Sequence, residues 1–148
     1  MKSEPSECSI DDLVREGCVP WIGVRNYQAR NFMRDEMRVG DGVLFYHSSC
    51  PEPGIAGLAE VACAAYPDAT QFDPKSPYHD PKAKADAPRW QHVDVKLVKK
   101  TQLLPLADMR ERAALASMRV LQRGNRLSIT PVSPAEWRAV QALLAPAR

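Results

Sequence analysis

Trp21, Arg25, Asn26 and Arg30 stand in one short stretch of the chain, and their side chains are complementary in kind. An indole is a flat π face on which a base can stack, a contact worth roughly 1–3 kcal/mol. A carboxamide donates and accepts at once, as reading the edge of a base requires. Guanidinium groups pair with phosphate. Stacking, edge reading and anion contact are together what it takes to hold a nucleobase. Each residue also has an ordinary structural use. Trp21, in a Pro-Trp-Ile-Gly turn, either projects into a cleft or caps the core. Asn26 either reads a base or serves as a helix N-cap.

Further candidates lie where strands end. In the opening segment, Ser3 can hydrogen-bond a base, Glu4 can accept from an exocyclic amine, and Lys2 can meet a phosphate. The alternative is a solvated terminus. His47 and Ser48 follow the apolar run Val43–Tyr46, where the chain leaves the core, and are either site residues or structural ones. Arg123 and Arg126 flank a Gly-Asn turn, and Arg126 is a candidate phosphate contact with Arg25 and Arg30. Arg34 and Arg38 lie at i+4 and i+8 from Arg30, but Asp35 and Glu36 partly neutralise them, so a solvated face is expected there. Pro67–Ala87 and the following Pro88-Arg89-Trp90 make a long proline-rich loop, of a length that is functional or disordered in compact domains. Such a loop either closes over a bound strand as a lid through Tyr78 and His79, or is pinned to the rest through Tyr78 and Trp90.

The same residues argue against catalysis. Cys50 and His47 are close in sequence, yet a Pro-rich loop offers no helix N-terminus to lower a thiol pKa, and no local carboxylate orients the His. Asp11 and Asp12 read as a helix first turn. No GxxxxGK[ST] phosphate cradle occurs. Cys8, Cys18, Cys50 and Cys63 form no CxxC pair and have no His at ligand spacing, so no metal is expected, and nothing calls for a cofactor. The expectation is a binding protein, not an enzyme.

A net charge of +2 and a pI near 8.4 do not announce nucleic-acid binding, which in strongly basic domains goes with a pI above about 9. A local basic patch matters more than the total. The opening MKSEPSECSIDDL has no apolar core of a secretory signal, and no apolar run approaches the roughly 20 residues of a membrane span. A cytoplasmic protein with reduced cysteines and no membrane partner is expected, and a monomer is favoured.

A chain of 148 residues suits one domain, 1–148. Met1–Glu4 suits the end of a strand. Ser9 opens a helix, with an acid three residues on, and Gly17 closes it. Val24–Arg38 reads as helical, with Ala29, Phe32, Met33 and Met37 on one arc. Val43–Tyr46 reads as a buried strand, Ile55–Tyr66 as part of a strand hairpin, and Val93–Val98, which alternates, as a half-buried strand. Leu106–Met118 is weakly helical. Gly124–Thr130 is a turn feeding a strand, and Ser133-Pro-Ala-Glu136 is a capping box opening a helix to about Leu144. Five or six short strands with helices suggest an α+β chain with a small, partly closed barrel.

In order along the chain, MKSEP (1–5), SIDDL (9–13), PWIGVRNYQARNFMRDEM (20–37), GDGVLFYHS (40–48), PGIAGLAEV (53–61), AYPDATQFDPKSPYHDPKA (65–83), PRWQHVDV (88–95) and RGNRLSITPVSPAEW (123–137) resemble the EVE domain family. That family belongs to the PUA-like superfamily, with readers of methylated adenine in RNA and of methylated cytosine in DNA. The resemblance implies an α+β, PUA-like five- or six-stranded pseudo-barrel with flanking helices. It also implies a cleft for a flipped base, and a nucleic-acid partner, DNA or RNA, carrying a modified base such as methylated or hydroxymethylated cytosine. In that cleft Trp21, Asn26, Ser3, Glu4, His47 and Ser48 are the expected base-binding residues, and Lys2, Arg25, Arg30 and Arg126 the expected phosphate contacts. Family members commonly carry a few more apolar residues before the string at 1–5, so the resemblance implies either a start assigned late or a trimmed first strand. The alternative is an RNA-binding accessory module blind to modification; a small nucleotide hydrolase ranks third.

Overall fold

The computed structural model describes residues 1–148. Its elements are β1 (Lys2–Ser3), α1 (Ile10–Glu16), β2 (Cys18–Pro20), α2 (Tyr27–Asn31, continued by a wider π-type turn over Phe32–Glu36), β3 (Gly42–His47), β4 (Gly54–Val61), β5 (Tyr66–Pro67), β6 (Gln91–His92), β7 (Asp94–Pro105), α3 (Leu106–Arg110) and α4 (Pro134–Leu143). Five strands form one sheet in the order β1-β3-β4-β7-β2, and β5 pairs with β6 in a second, two-stranded sheet. The chain divides into two compact units: Met1–Gly17 with Val43–Ala59 and Leu97–Arg148, and Cys18–Gly42 with Glu60–Lys96. No helix is long and apolar enough to cross a membrane.

In the first unit β1 lies parallel to β3, with Lys2 opposite Tyr46 and Ser3 opposite His47. The Ser48 N–H extends the pairing by donating to the Ser3 carbonyl at 2.9 Å. The core gathers Leu44, Tyr46, Ile55 and Leu58 from β3 and β4 with Leu104, Met109, Leu115, Met118, Leu121 and Val140. Helix α1 carries the expected capping box: Ser9 Oγ accepts the Asp12 N–H, Asp12 accepts the Ser9 N–H, and Gly17 closes the helix. Helix α4 repeats the device with Ser133, Pro134 and Glu136. The weakly helical stretch after β7 resolves into α3 and two short 3-10 turns at Ala113–Leu115 and Arg119–Leu121.

The strand expected within Gly124–Thr130 is absent. Asn125 explains this. Its Oδ1 accepts the Leu127 N–H at 3.0 Å and its Nδ2 donates to the Arg119 carbonyl at 2.8 Å. Local side-chain hydrogen bonds of this kind compete with a strand ladder. The Ser128 carbonyl still takes one bond, from the Lys2 N–H at 2.7 Å, which ties this segment to β1.

In the second unit β2 pairs antiparallel with the start of β7, Val19 opposite Val95 and Pro20 opposite Asp94. A proline is tolerated because β2 is an edge strand of the sheet. The alternation seen over Val93–Val98 belongs to a longer strand, which runs to Pro105. The helix expected over Val24–Arg38 is confined to Tyr27–Glu36. Asn26 is its N-cap, and the Met37 N–H closes a five-residue bond to Phe32 O at 3.1 Å. The Arg38 N–H is then taken by the Asp41 carboxylate at 2.8 Å, so Met37 and Arg38 leave the helical row. Ala29 and Met33 are buried, as the wheel required.

Gly54 shows how closely β4 and β7 approach. A Cβ there would overlap the Leu104 carbonyl and press on Pro105, both backbone atoms that cannot swing away. Gly54→Ala should therefore cost about 3 kcal/mol, the upper end for forced overpacking. Urea unfolding of the two proteins measures it.

Candidate nucleic-acid interface

The second unit is organised around Asp68, which is fully buried. One carboxylate oxygen accepts the Gly23 N–H at 2.9 Å and an Arg25 Nη1 hydrogen at 3.1 Å. Its other oxygen accepts the Thr70 N–H at 2.9 Å and the Thr70 hydroxyl. Burial pushes this carboxyl up, but the hydrogen bonds from Thr70, Gly23 and Arg25 outweigh burial and hold it below the ordinary carboxylate range. Gly23 has φ +83°, and a Cβ there would strike the Tyr78 ring, so only glycine lets the backbone meet both Asp68 and Tyr78.

Arg25 completes the network. Its Nε and Nη2 donate to the Tyr78 carbonyl at 3.0 and 2.7 Å, Nη2 also to Thr70 Oγ1 at 3.0 Å, and Nη1 to Asp68 and to the Val24 carbonyl at 3.0 Å. A guanidinium has five N–H donors. All five are used, so the phosphate contact expected of Arg25 gives way to a structural role. The long loop is likewise no free lid. Its Tyr78 carbonyl is held by Arg25, Asp80 N–H donates to Gln71 O at 2.9 Å, and Trp90 Nε1 donates to Asp80 at 2.8 Å. The indole N–H draws the Asp80 carboxyl down. Fully buried Gln71 joins the loop ends by accepting the Arg89 and Trp90 N–H groups, both at 2.9 Å. His79 is half-buried in this pinned segment.

Trp21 is 7% exposed, and its N–H extends the β2 pairing to Val93 O at 2.9 Å. It caps the core, and so little of the indole reaches solvent that the open stacking face expected of it is not there. Asn26 takes the N-cap role, Oδ1 accepting the Ala29 N–H at 3.1 Å, which leaves its amide hydrogens available on an exposed residue. Arg30 spends three of five donors, on Asn31 Oδ1 and the Arg89 carbonyl. The sequence reading passed over Tyr27, which is 51% exposed, stacks on Trp90 at 4.7 Å and has the Arg30 guanidinium 4.6 Å from its ring centre. The signal was present: Tyr27 and Arg30 stand at i, i+3 on a helix, where side chains meet.

In the first unit the structure brings Ser3, His47 and Ser48 together through the β1–β3 register. Ser3 Oγ donates to the Cys8 carbonyl at 2.7 Å. His47 Nε2 accepts the Ile10 N–H at 3.0 Å, an orphan donor at the start of α1. Burial lowers the pKa of this imidazole, with the Lys100 charge adding to it and Asp11 opposing. Glu4 is exposed. Lys2 reaches the Asn125 carbonyl at 3.5 Å, which sets its ammonium beside the turn that carries Arg126; burial lowers its pKa.

Arg110, Arg112, Arg119, Arg123 and Arg126 are all exposed, and none of them forms an ion pair. The folded-back stretch that carries them is held by Arg110 and Gln122 side chains on backbone carbonyls. By contrast, Arg15 and Arg34 are neutralised by neighbouring acids, Asp12 at 2.8 Å and Asp35 at 2.8 Å. The four cysteines are unpaired thiols.

A five-stranded sheet flanked by helices places the chain in the α+β, PUA-like class. The chain belongs to the EVE domain family, whose model matches residues 1–143. It is similar to human thymocyte nuclear protein 1, 42% identical over 163 residues that cover 97% of this chain and 72% of that protein. A crystal structure of a Pseudomonas putida protein is 52% identical, with a TM-score of 0.93, and covers 97% of this chain and 96% of its own. The human THYN1 protein in complex with 5-methylcytosine-containing DNA is 42% identical with a TM-score of 0.90, over 97% of this chain and 94% of that one.

Two outcomes follow from these networks. Asp68→Asn strips the charge from Arg25's buried partner and should lower stability by about 3 kcal/mol at neutral pH. The Asp68 contribution is complete above the unfolded carboxyl pKa of about 3.9 and is lost as pH falls through its lower folded value, so the two proteins should converge in acid denaturation curves. His47 should titrate below about 6.5 by NMR, with Nε2 unprotonated at neutral pH. Because its folded pKa is lowered, its contribution is complete above about pH 6.5 and declines below, as the unfolded chain takes up the proton first.

Proposed function

We propose that this chain is a reader of modified cytosine in nucleic acid, with residues 1–148 acting as one binding module and no catalytic role. The observation that carries this reading is the likeness, at 42% identity and a TM-score of 0.90, to a human protein seen in complex with 5-methylcytosine-containing DNA. Two local features support it. The stretch 110–126 presents five arginines that no acid neutralises, and phosphate is the anion such guanidinium groups match in geometry and charge. The exposed Tyr27 and its flanking Arg30 add an aromatic surface next to positive charge.

Of the base-reading groups, Asn26 retains its amide hydrogens beyond the helix cap, Glu4 has an exposed carboxylate, and Ser48 carries a hydroxyl at a strand end. Ser3 and His47 each have one polar atom already engaged and keep the other lone pair or N–H. We assign edge recognition to Asn26 in the second unit and, separately, to Ser3, Glu4, His47 and Ser48 in the first. Phosphate contact falls to Lys2, Arg30 and Arg126; Arg25 is left out because its donors are spent.

Titration with matched oligonucleotides, in DNA and in RNA, bearing cytosine, 5-methylcytosine or 5-hydroxymethylcytosine tests the proposal. Tighter binding of a modified form at fixed salt is expected. Arg126→Ala should weaken all forms alike and reduce the salt slope by about one. Equal affinities with a steep salt slope would mean an accessory module indifferent to modification.

A further inference from the structure

Three aromatic residues expose more than a third of their surface: Tyr27 at 51%, Tyr66 at 42% and Phe72 at 36%. Their electrostatic settings differ. The Tyr66 hydroxyl donates to the Asp94 carboxylate at 2.7 Å, which sets that ring beside negative charge, and no guanidinium lies over the Phe72 ring. Tyr27 stands beside Arg30, which forms no ion pair, whereas Arg25 near Trp90 is neutralised by Asp68. A phosphate-bearing ligand is repelled at Tyr66 and attracted at Tyr27.

Tyr27 is also held rigidly for so exposed a residue. It stacks on Trp90 at 4.7 Å with the planes 22° apart, and Trp90 is itself fixed by Asp80. Arg30 is anchored on Asn31 and on the Arg89 carbonyl. The Arg30 guanidinium lies 4.6 Å from the Tyr27 centre and 5.9 Å from that of Trp90. Arg30 and Trp90 together cover only part of Tyr27, which keeps 51% of its surface exposed, so ring surface remains open to solvent. A preorganised aromatic face loses little entropy on binding.

We propose that Tyr27 is a second base-stacking site, which takes an unpaired nucleobase flanking the modified one while Arg30 contacts the adjoining phosphate. The proposal rests on the nucleic-acid reading above. A cationic ligand is disfavoured by the Arg30 guanidinium, and a neutral apolar partner would leave that group without a counter-charge. The flanking position follows from geometry: Asn26 is the extended N-cap and Tyr27 the first helical residue, and adjacent side chains there do not face one another, so the two do not address the same base.

Fluorescence anisotropy with single-stranded and duplex DNA containing one 5-methylcytosine tests it, alongside oligonucleotides with an abasic nucleotide on either side of that position. Tyr27→Ala and Tyr27→Leu, the second of which keeps Trp90 covered, should each lose about ten-fold or more in affinity. Tyr27→Phe should stay within about two-fold, since the ring remains. The ratio of modified to unmodified binding should not change. One abasic substitution should reproduce the loss in the parent and add nothing in Tyr27→Ala, as a double-mutant cycle requires for partners in contact. Tyr27→Leu binding as the parent does, or losses that add fully, would overturn the proposal. So would a collapse of the modification ratio, which would place the modified base itself on Tyr27. A parent protein that binds no oligonucleotide would instead remove the reader function, a result separable from the others because no variant is needed to see it.

Discussion

A carboxylate buried away from water must be met by donors, and the second unit is built around that requirement at Asp68. Four hydrogen bonds converge on it, from a backbone N–H at Gly23, from both donors of Thr70 and from Arg25. Arg25 then carries the constraint outward to the Tyr78 carbonyl, so one buried charge fixes the turn after β2, the start of the long loop and its middle. The aromatic layer depends on the same frame, because Trp90 is placed by Gln71 and Asp80, which belong to that loop. Asp68 joins this frame through its own backbone, its N–H donating to the Trp90 carbonyl at 2.9 Å and its carbonyl accepting from Gln71 Nε2 at 2.7 Å.

The two kinds of arginine in this chain have opposite fates for one physical reason. A guanidinium whose five donors find protein acceptors becomes a structural rivet, as Arg25 does. One whose surroundings provide no acid stays available to an external anion, as along 110–126. The net charge of +2 hides this partition, since it adds neutralised and unneutralised groups together. Local accounting of partners, not total charge, is what supports a phosphate-binding surface here.

His47 illustrates how a residue chosen for its chemistry can turn out to hold a helix in place. Its imidazole caps an N–H of α1, and burial keeps it neutral, so the ring satisfies a helix start that Ser9 only partly covers. The cap also fixes the end of β3, and with it the position of Ser48. The recognition role proposed for this edge would therefore depend on the same hydrogen bonds that join Ser3 and Ser48 through the backbone.

The features legible in the sequence are those whose hydrogen bonds close within a few residues. The boxes at Ser9 and Ser133, the stop at Gly17 and the cap at Asn26 each carry their own partners nearby, β3 shows through its apolar composition alone, and long strings sufficed to recognise the family. What the sequence could not decide were contacts across 43 to 53 residues, such as Arg25 to Asp68 and to Tyr78. Those contacts turned an expected phosphate ligand into a loop anchor and the expected lid into a pinned segment. Burial of Trp21 and exposure of Tyr27 were likewise settled by packing, since two aromatics in one stretch have no local rule that says which one faces water. The strand that failed to form after Gly124 has a local cause, the Asn125 side chain, but only the tertiary structure shows it prevailing over an apolar pattern.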